Sequence, residues 1–132
     1  MKNTNPVVHF EMPYEDAARV SEFYSKTFGW NMHQLGSEMM GYITAGTAET
    51  DENRMVKRAG AINGGFFQKK PDVPVYPSVV ISVEDIKEAM EKVASAGGKV
   101  LEGPMEIPGI GSYATFSDTE GNRVSMLQPK ST

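Results

Sequence analysis

The chain has 132 residues, a formal charge of −4, 39% hydrophobic and 23% charged residues, and no cysteine. These values are typical of one soluble globular domain and exclude disulfides, cysteine-ligated metal centres and thiol nucleophiles. The 13 lysines and arginines are scattered, no apolar run approaches the roughly 18 residues of a membrane span, and the first residues lack the apolar core of a secretory signal. We therefore expect a cytoplasmic protein with no nucleic-acid or membrane partner.

The first half predicts a strand, a helix and three further strands. Residues 7–16 form a short strand leading to a helix start, with Asp16 as N-cap and Gly29 as C-terminal stop. Strand-like stretches follow over residues 30–35, 39–45 and 61–68. Residues 46–60 are polar and predict a mobile loop, which is either a solvated surface loop or a lid over a site.

The second half repeats this pattern at a constant offset in the numbering. Glu15 and Asp16 align with Glu84 and Asp85, and Gly29 aligns with Gly98. Further strands are predicted over residues 99–102, 113–117 and 123–128, with a hairpin turn at 120–122. The chain is therefore predicted to be one domain over residues 1–132, made of two βαβββ modules. Module one covers residues 5–68, a proline-containing linker covers 69–77 and module two covers 78–129.

Strand alternation assigns the side chains to faces of each predicted sheet. Phe10 and Met12 point one way in the first strand, and His9 and Glu11 the other. In the fifth strand, residues 79, 81 and 83 form the apolar face toward the helices, while residues 78, 80 and 82 form the opposite face. The helix-free faces mix apolar and polar groups, as a small-molecule cavity requires.

His9 and Glu11 are the candidate catalytic pair, because an imidazole and a carboxylate on one face can exchange protons through a substrate. Their alternative roles are a structural hydrogen bond and an ion pair. His33 is predicted to be a surface or partner-facing histidine. Six further residues are candidates for ligand binding, although aromatic residues of this kind more often belong to a core: Trp30, Tyr42, Phe67, Ser78, Tyr113 and Ser125.

Several segments together resemble the vicinal oxygen chelate superfamily, which includes glyoxalase I, bleomycin-resistance proteins and extradiol dioxygenases. The segments cover residues 9–13, 23–30, 60–65, 96–100, 107–111 and 116–122. The closest resemblance is to a subgroup described as related to lactoylglutathione lyase. The resemblance implies an α+β fold in which two βαβββ modules form curved mixed sheets around a cleft.

The resemblance also implies up to four metal-ligand positions, on the first and last strand of each module. His9 occupies one of them with a suitable ligand, whereas Ser78, Ser125 and a position near Gly65 occupy the others. Serine and glycine do not supply the imidazole or carboxylate donors. Glu11 lies off these positions. We therefore expect no cofactor, and at most a weakly bound divalent metal.

Three functions remain open at this stage, and with them whether the protein is an enzyme. The first is a glyoxalase/bleomycin-resistance-like protein that binds or sequesters a small molecule in its cleft. The second is a lyase, isomerase or dioxygenase that uses His9 and Glu11. The third is an interaction or regulatory protein with an inert cleft. Because modules of about 60 residues are marginal alone, we also expect a homodimer, with modules paired within a chain or swapped between chains.

Overall fold

The computed structural model of the chain describes residues 4–36, 39–53, 55–71 and 75–130. Its elements, in chain order, are β1 (Val7–Tyr14), α1 (Ala17–Phe28), β2 (Asn31–Gln34), β3 (Ile43–Gly46), β4 (Asn63–Gln68), β5 (Ser78–Ser82), α2 (Ile86–Ser95), β6 (Lys99–Ile107), β7 (Gly111–Ser117) and β8 (Arg123–Pro129). In the described part of the chain, neither helix combines the length and the apolar character needed to cross a membrane.

The chain divides into two compact units. The first unit is His9–Pro77, and the second unit combines the residues up to Val8 with those from Ser78 onward. Within the predicted linker, residues 72–74 lie outside the described part of the chain.

The first unit has the strand order β2-β3-β4-β1, with β1 parallel to β4 and the other pairs antiparallel. Helix α1 begins at the predicted cap, where the Arg19 N–H donates to the Asp16 carboxylate over 2.9 Å. It ends at Gly29, whose φ of +73° suits a residue without a side chain. One face of the sheet packs on α1 around the buried Tyr14 and Phe66.

The second unit has the strand order β5-β8-β7-β6, with β5 parallel to β8. This order is equivalent to that of the first unit read from β1 to β2. Asp85 caps α2 by accepting a hydrogen bond from the Glu88 N–H over 3.1 Å. The core forms between α2 and the sheet around Val83, Ala114 and Met126. The prediction of two βαβββ modules of mixed sheet with one helix each is therefore confirmed.

Two strand boundaries were predicted wrongly. The stretch 39–45 was assigned to a strand, but residues 39–42 form a turn with left-handed backbone at Met40 and Gly41, and β3 begins at Ile43. The strand predicted over residues 99–102 is too short, because β6 continues to Ile107. Shifts of pairing register on either side of Glu102 let the strand pass Pro104, which has no N–H to donate.

The loop between β3 and β4 is held together by local hydrogen bonds in its described part. The Asn63 side chain accepts from the N–H groups of Thr47 and Ala48, and a single bridge pairs Thr50 with Val56. Arg54 lies outside the described residues. The expected mobility of this loop stays a prediction.

The predicted faces are confirmed at most positions. Phe10 and Met12 pack toward α1, and Ile81 and Val83 pack toward α2. Val79 is an exception, because it is 36% exposed and the apolar cluster under α2 extends along β5 only as far as Ile81.

Candidate functional site

The pairing register identifies equivalent positions in the two units. Glu11 of β1 lies opposite Gly65 of β4, and Val80 of β5 lies opposite Ser125 of β8. Glu11 and Val80 are related by the same offset that relates Glu15 to Glu84. Gly65 and Ser125 are therefore equivalent, as the resemblance to a metal-binding family implied. Each lies on the face of its sheet that points away from the helix.

In the first unit, the Tyr42 hydroxyl lies between His9 and Glu11. Its oxygen is 3.4 Å from His9 Nε2, and it donates to Glu11 Oε2 over 3.2 Å. Glu11 is 8% exposed, an unusually low value for a carboxylate. The structure thus brings together His9, Glu11 and Tyr42, which were all selected from the sequence, and the Tyr42 hydroxyl contacts both of the others.

The backbone of the 39–42 turn holds Tyr42 in place. The Tyr42 N–H donates to the Met39 carbonyl over 3.1 Å, and the Leu35 N–H donates to the Tyr42 carbonyl over 2.9 Å. The buried Tyr14 hydroxyl donates to the Gly41 carbonyl over 2.6 Å. Because Tyr14 belongs to the core under α1, the position of this turn is tied to the packing of the helix.

Two consecutive glycines of β4 accommodate aromatic rings on opposite faces of the sheet. A Cβ atom at Gly65 would overlap the phenol of Tyr42, including its hydroxyl oxygen. A Cβ atom at Gly64 would overlap the ring of Phe10. Neither glycine has a positive φ, so the requirement is for space and not for backbone freedom. The position where the resemblance implies a metal ligand is covered by the Tyr42 ring.

Burial sets the charge state of His9. Burial lowers the pKa of its imidazole, and the Glu11 carboxylate opposes this by raising it. The net pKa lies below the ordinary value of about 6.5, so the ring is neutral at pH 7. A hydroxyl has one proton to give. When Tyr42 donates this proton to Glu11, its oxygen can only accept from His9. A hydrogen bond between the two residues therefore requires that His9 Nε2 carries a proton and donates it.

The second unit places another tyrosine at the equivalent position. The hydroxyls of Tyr113 and Ser125 are 2.6 Å apart and share a hydrogen bond. Thr115 pairs with Ser125 across β7 and β8, just as Thr44 pairs with Gly65 across β3 and β4. A Tyr-x-Thr sequence therefore occurs in both units. The two copies are separated by slightly more residues along the chain than the two helix starts are. The sequence reading missed this repeat because it applied one offset throughout.

Thr115 is the one residue among those described whose buried side-chain oxygen has no hydrogen-bond partner. It is 3% exposed, and so is its neighbour Ser125. An unpaired buried hydroxyl costs free energy. The threonine itself was not selected from the sequence, where nothing distinguishes it from a strand-forming residue.

The remaining candidates lie apart from these two groups. Trp30 stacks on Tyr24 of α1 with ring centroids 4.6 Å apart, so it contributes to the core under the helix. Phe67 alternates with the buried Phe66 and therefore shares the face of Gly65. Ser78 is the first residue of β5, on the face of Val80, and His33 is exposed on β2.

The described residues do not fit the four-ligand metal set that the resemblance implies. No three histidine, aspartate or glutamate side chains come together within the described ranges. In the first unit, His9 and Glu11 provide two side chains that can ligate a metal, and Tyr42 occupies the space beside them. A half-buried tyrosine and two serines do not replace the missing imidazole and carboxylate.

Comparisons with known proteins agree with this fold. Residues 7–126 match the profile of the Glyoxalase/Bleomycin resistance protein/Dioxygenase superfamily. A "Glyoxylase-like domain-containing protein" of Didymella fabae is 30% identical over 120 residues, which is 85% of this chain and 84% of that protein. "Putative glyoxylase CFP32" of Mycobacterium bovis is 36% identical over 77 residues, 58% of this chain and only 30% of that relative's length.

Among solved structures, methylmalonyl-CoA epimerase of Streptomyces coelicolor superposes with a TM-score of 0.69. The match covers 95% of this chain and 97% of that one. At 15% sequence identity, this similarity concerns the fold alone.

Proposed function

Because the chain belongs to the glyoxalase/bleomycin resistance protein/dioxygenase superfamily, we propose that it binds a small organic molecule through His9 and Glu11, at the place where the Tyr42 hydroxyl lies. The observation that carries this proposal is the Tyr42 hydroxyl held between an imidazole and a carboxylate on a helix-free face. A few polar groups that converge on one point among apolar surroundings are what fixes the orientation of a small ligand.

The test of binding is native mass spectrometry of the full chain as purified, followed by identification of any released molecule. Glu11→Gln keeps the shape of the side chain and removes its charge, so we expect it to lose the co-purified molecule. Glu22→Gln is the matched control, because Glu22 is exposed on α1 in an ion pair with Lys26. Equal retention by both variants would contradict the assignment of Glu11.

We propose further that no zinc, nickel or iron is held tightly. The donor set supports this, since His9 and Glu11 alone leave most positions of an ion to water. Elemental analysis of protein purified without chelator is expected to give far less than one metal per chain. One metal per chain in the wild type, lost on His9→Ala, would overturn this proposal.

A second candidate function is acid–base catalysis by the same residues. It is favoured by the lowered pKa of His9, because a neutral imidazole at pH 7 can accept a proton from a bound substrate. Binding alone predicts stoichiometric capture without product. Catalysis predicts turnover that falls on His9→Gln while binding is retained.

We also propose that the protein forms a homodimer. Support comes from α1, where the large apolar side chains Phe23 and Phe28 are 54% and 61% exposed. Sedimentation velocity at micromolar concentration is expected to give the mass of two chains, and Phe28→Ser to shift it toward one. A single species at the monomer mass across that range would reject the dimer.

A further inference from the structure

The position of Tyr42 indicates what kind of molecule the first unit recognises. We propose that the Tyr42 side chain occupies the ligand position of its own protein, and that the ligand is a planar ring carrying a hydroxyl group, such as a phenol. This inference rests on the proposed function, because it requires that His9 and Glu11 form a binding site. It adds the chemical class of the ligand and assigns Tyr42 as its intramolecular competitor.

The hydrogen-bonding pattern selects a hydroxyl. The group between His9 and Glu11 donates to a carboxylate and contacts an imidazole nitrogen through the same oxygen. A hydroxyl can donate and accept at one atom, whereas a carbonyl or carboxylate cannot donate and an ammonium cannot accept. An anionic ligand group would also face the nearly buried carboxylate of Glu11.

The surface beneath that hydroxyl selects a flat ring. The Tyr42 phenol lies against the backbone of Gly65, where even a single carbon atom would overlap it. The missing side chain of Gly65 leaves a recess in β4, which the hydroxyl end of the Tyr42 ring fills. A planar phenol fits this recess by the same contacts, while a branched or bulky alcohol does not.

The contacts of Tyr42 with His9 and Glu11 are weak enough to be exchanged for those of a ligand. The Tyr42 oxygen lies 3.2 Å from Glu11 and 3.4 Å from His9, whereas O–H···O hydrogen bonds cluster near 2.7–2.8 Å. Tyr42 is also half-buried, which leaves its ring a path to solvent. The 39–42 turn is held through backbone groups and Tyr14, so rotation of the side chain suffices and the turn itself can stay in place.

The experiment measures binding of p-cresol, which is the tyrosine side chain as a free molecule, by isothermal titration calorimetry. The proteins are the full wild-type chain, Tyr42→Phe, Tyr42→Ala and the control Tyr76→Phe. Tyr76 belongs to the same unit and is 71% exposed. Toluene is the matched probe, because it has the same ring without the hydroxyl.

Tyr42→Phe keeps the ring but removes the competing hydrogen bonds, so it is expected to bind p-cresol about twofold more tightly than the wild type. Tyr42→Ala is expected to bind p-cresol at least about tenfold more tightly than toluene. Tyr76→Phe is expected to match the wild type. The decisive comparison is Tyr42→Phe with the wild type, because an emptied recess in Tyr42→Ala takes up a ring whatever the natural ligand is.

The possible failures point to different errors. If Tyr42→Phe binds p-cresol no more tightly than the wild type, Tyr42 is a fixed part of the wall and the inference is overturned, while the proposed function stands. Equal affinity of Tyr42→Ala for p-cresol and toluene overturns the recognition of a hydroxyl. If folded Tyr42→Ala binds neither probe, the ligand is not a phenol and the inference is overturned, while retention of the co-purified molecule by Glu11→Gln and Glu22→Gln still decides the proposed function.

Discussion

Tyr42 and Tyr113 occupy equivalent places in the two units, yet their surroundings differ. Each lies two residues before a threonine that pairs with the family's metal-ligand position. Tyr113 shares a 2.6 Å hydrogen bond with a serine at that position. Tyr42 meets a glycine there, and its hydroxyl lies between His9 and Glu11 at longer distances.

The difference is the basis for our inference that the phenol is exchangeable in the first unit and fixed in the second. In the second unit, a short hydrogen bond fixes the phenol to the strand beside it, and the residue opposite Ser125 in β5 is the apolar Val80. In the first unit, the residue equivalent to Val80 is Glu11, and the phenol is at long distances from this carboxylate and from His9. This difference is why we place the proposed binding site in the first unit.

The most severe test of this comparison replaces Gly65 of the first unit by serine, the residue type that the second unit has at the equivalent position 125. Gly65→Ser would place side-chain atoms where the Tyr42 ring lies, so we expect a loss of about 2 kcal/mol in the free energy of unfolding. Gly46→Ser is the control, because a Cβ atom there meets only ordinary contacts with Asn31 at 3.5–3.6 Å. Urea unfolding of the two variants and the wild type measures these free energies of unfolding.

The loss should shrink when the ring is also removed. In the Tyr42→Ala background, we expect Gly65→Ser to cost less than about 0.5 kcal/mol, which a double-mutant cycle would reveal as coupling. If Gly65→Ser is as stable as Gly46→Ser, the recess over Gly65 is not filled by Tyr42 and the difference between the units disappears.

A second test compares the two tyrosine hydroxyls directly. Tyr113→Phe removes the 2.6 Å hydrogen bond to the buried Ser125 hydroxyl, so we expect a loss of about 1 kcal/mol in unfolding free energy. Tyr42→Phe removes longer hydrogen bonds at a half-buried side chain, and we expect less than about 0.5 kcal/mol. Thermal unfolding of both variants under one condition decides the order, and the reverse order would contradict the comparison.

A third test concerns Thr115, whose buried hydroxyl has no partner among the described residues. Thr115→Val removes the hydroxyl and keeps the shape, so we expect stability to stay equal or to rise by up to about 1 kcal/mol. Thr44→Val, at the exposed equivalent position in β3, should change little. A clear loss for Thr115→Val would mean that the hydroxyl has a partner, such as a bound water.

The sequence was sufficient to predict the framework, because the relevant signals are local. Asp16 and Asp85 cap helices by bonding an N–H three residues ahead, and strand alternation placed His9 and Glu11 on one face. Since both modules use the same local signals, the constant offset between them also predicted their shared topology.

The arrangement around Tyr42 could not be predicted in the same way. The turn at 39–42 contains Tyr42, a residue type that is enriched in strands, and its shape depends on a hydrogen bond from the distant Tyr14. The space over Gly65 is likewise a tertiary contact, with a side chain from a different part of the sequence. A search for Tyr-x-Thr at neighbouring offsets would have linked Tyr42 to Tyr113, since the second unit contains two extra residues before its tyrosine.

The smallest expected effect is the dependence of stability on pH through His9, because burial and Glu11 act on its pKa in opposite directions. The net pKa is lower in the folded than in the unfolded state, so the unfolded chain binds more protons near pH 6. Stability contributed by neutral His9 is therefore complete above the unfolded pKa of about 6.5 and is lost progressively as the pH falls below it.

Unfolding free energies at pH 7.5 and 5.5 (about one unit either side of the unfolded pKa) measure this loss. His9→Gln cannot be protonated and should show a smaller decrease between the two conditions than the wild type, whereas the exposed control His33→Gln should decrease like the wild type. An identical decrease in the wild type and His9→Gln would mean that folding does not shift the pKa of His9. A smaller decrease in the wild type than in His9→Gln would mean that folding raises this pKa and that His9 is charged beside Glu11 at neutral pH. In that case, Tyr42 would lie within an ion pair, and the first unit would favour a ligand that interacts with a charged pair and not with a neutral imidazole.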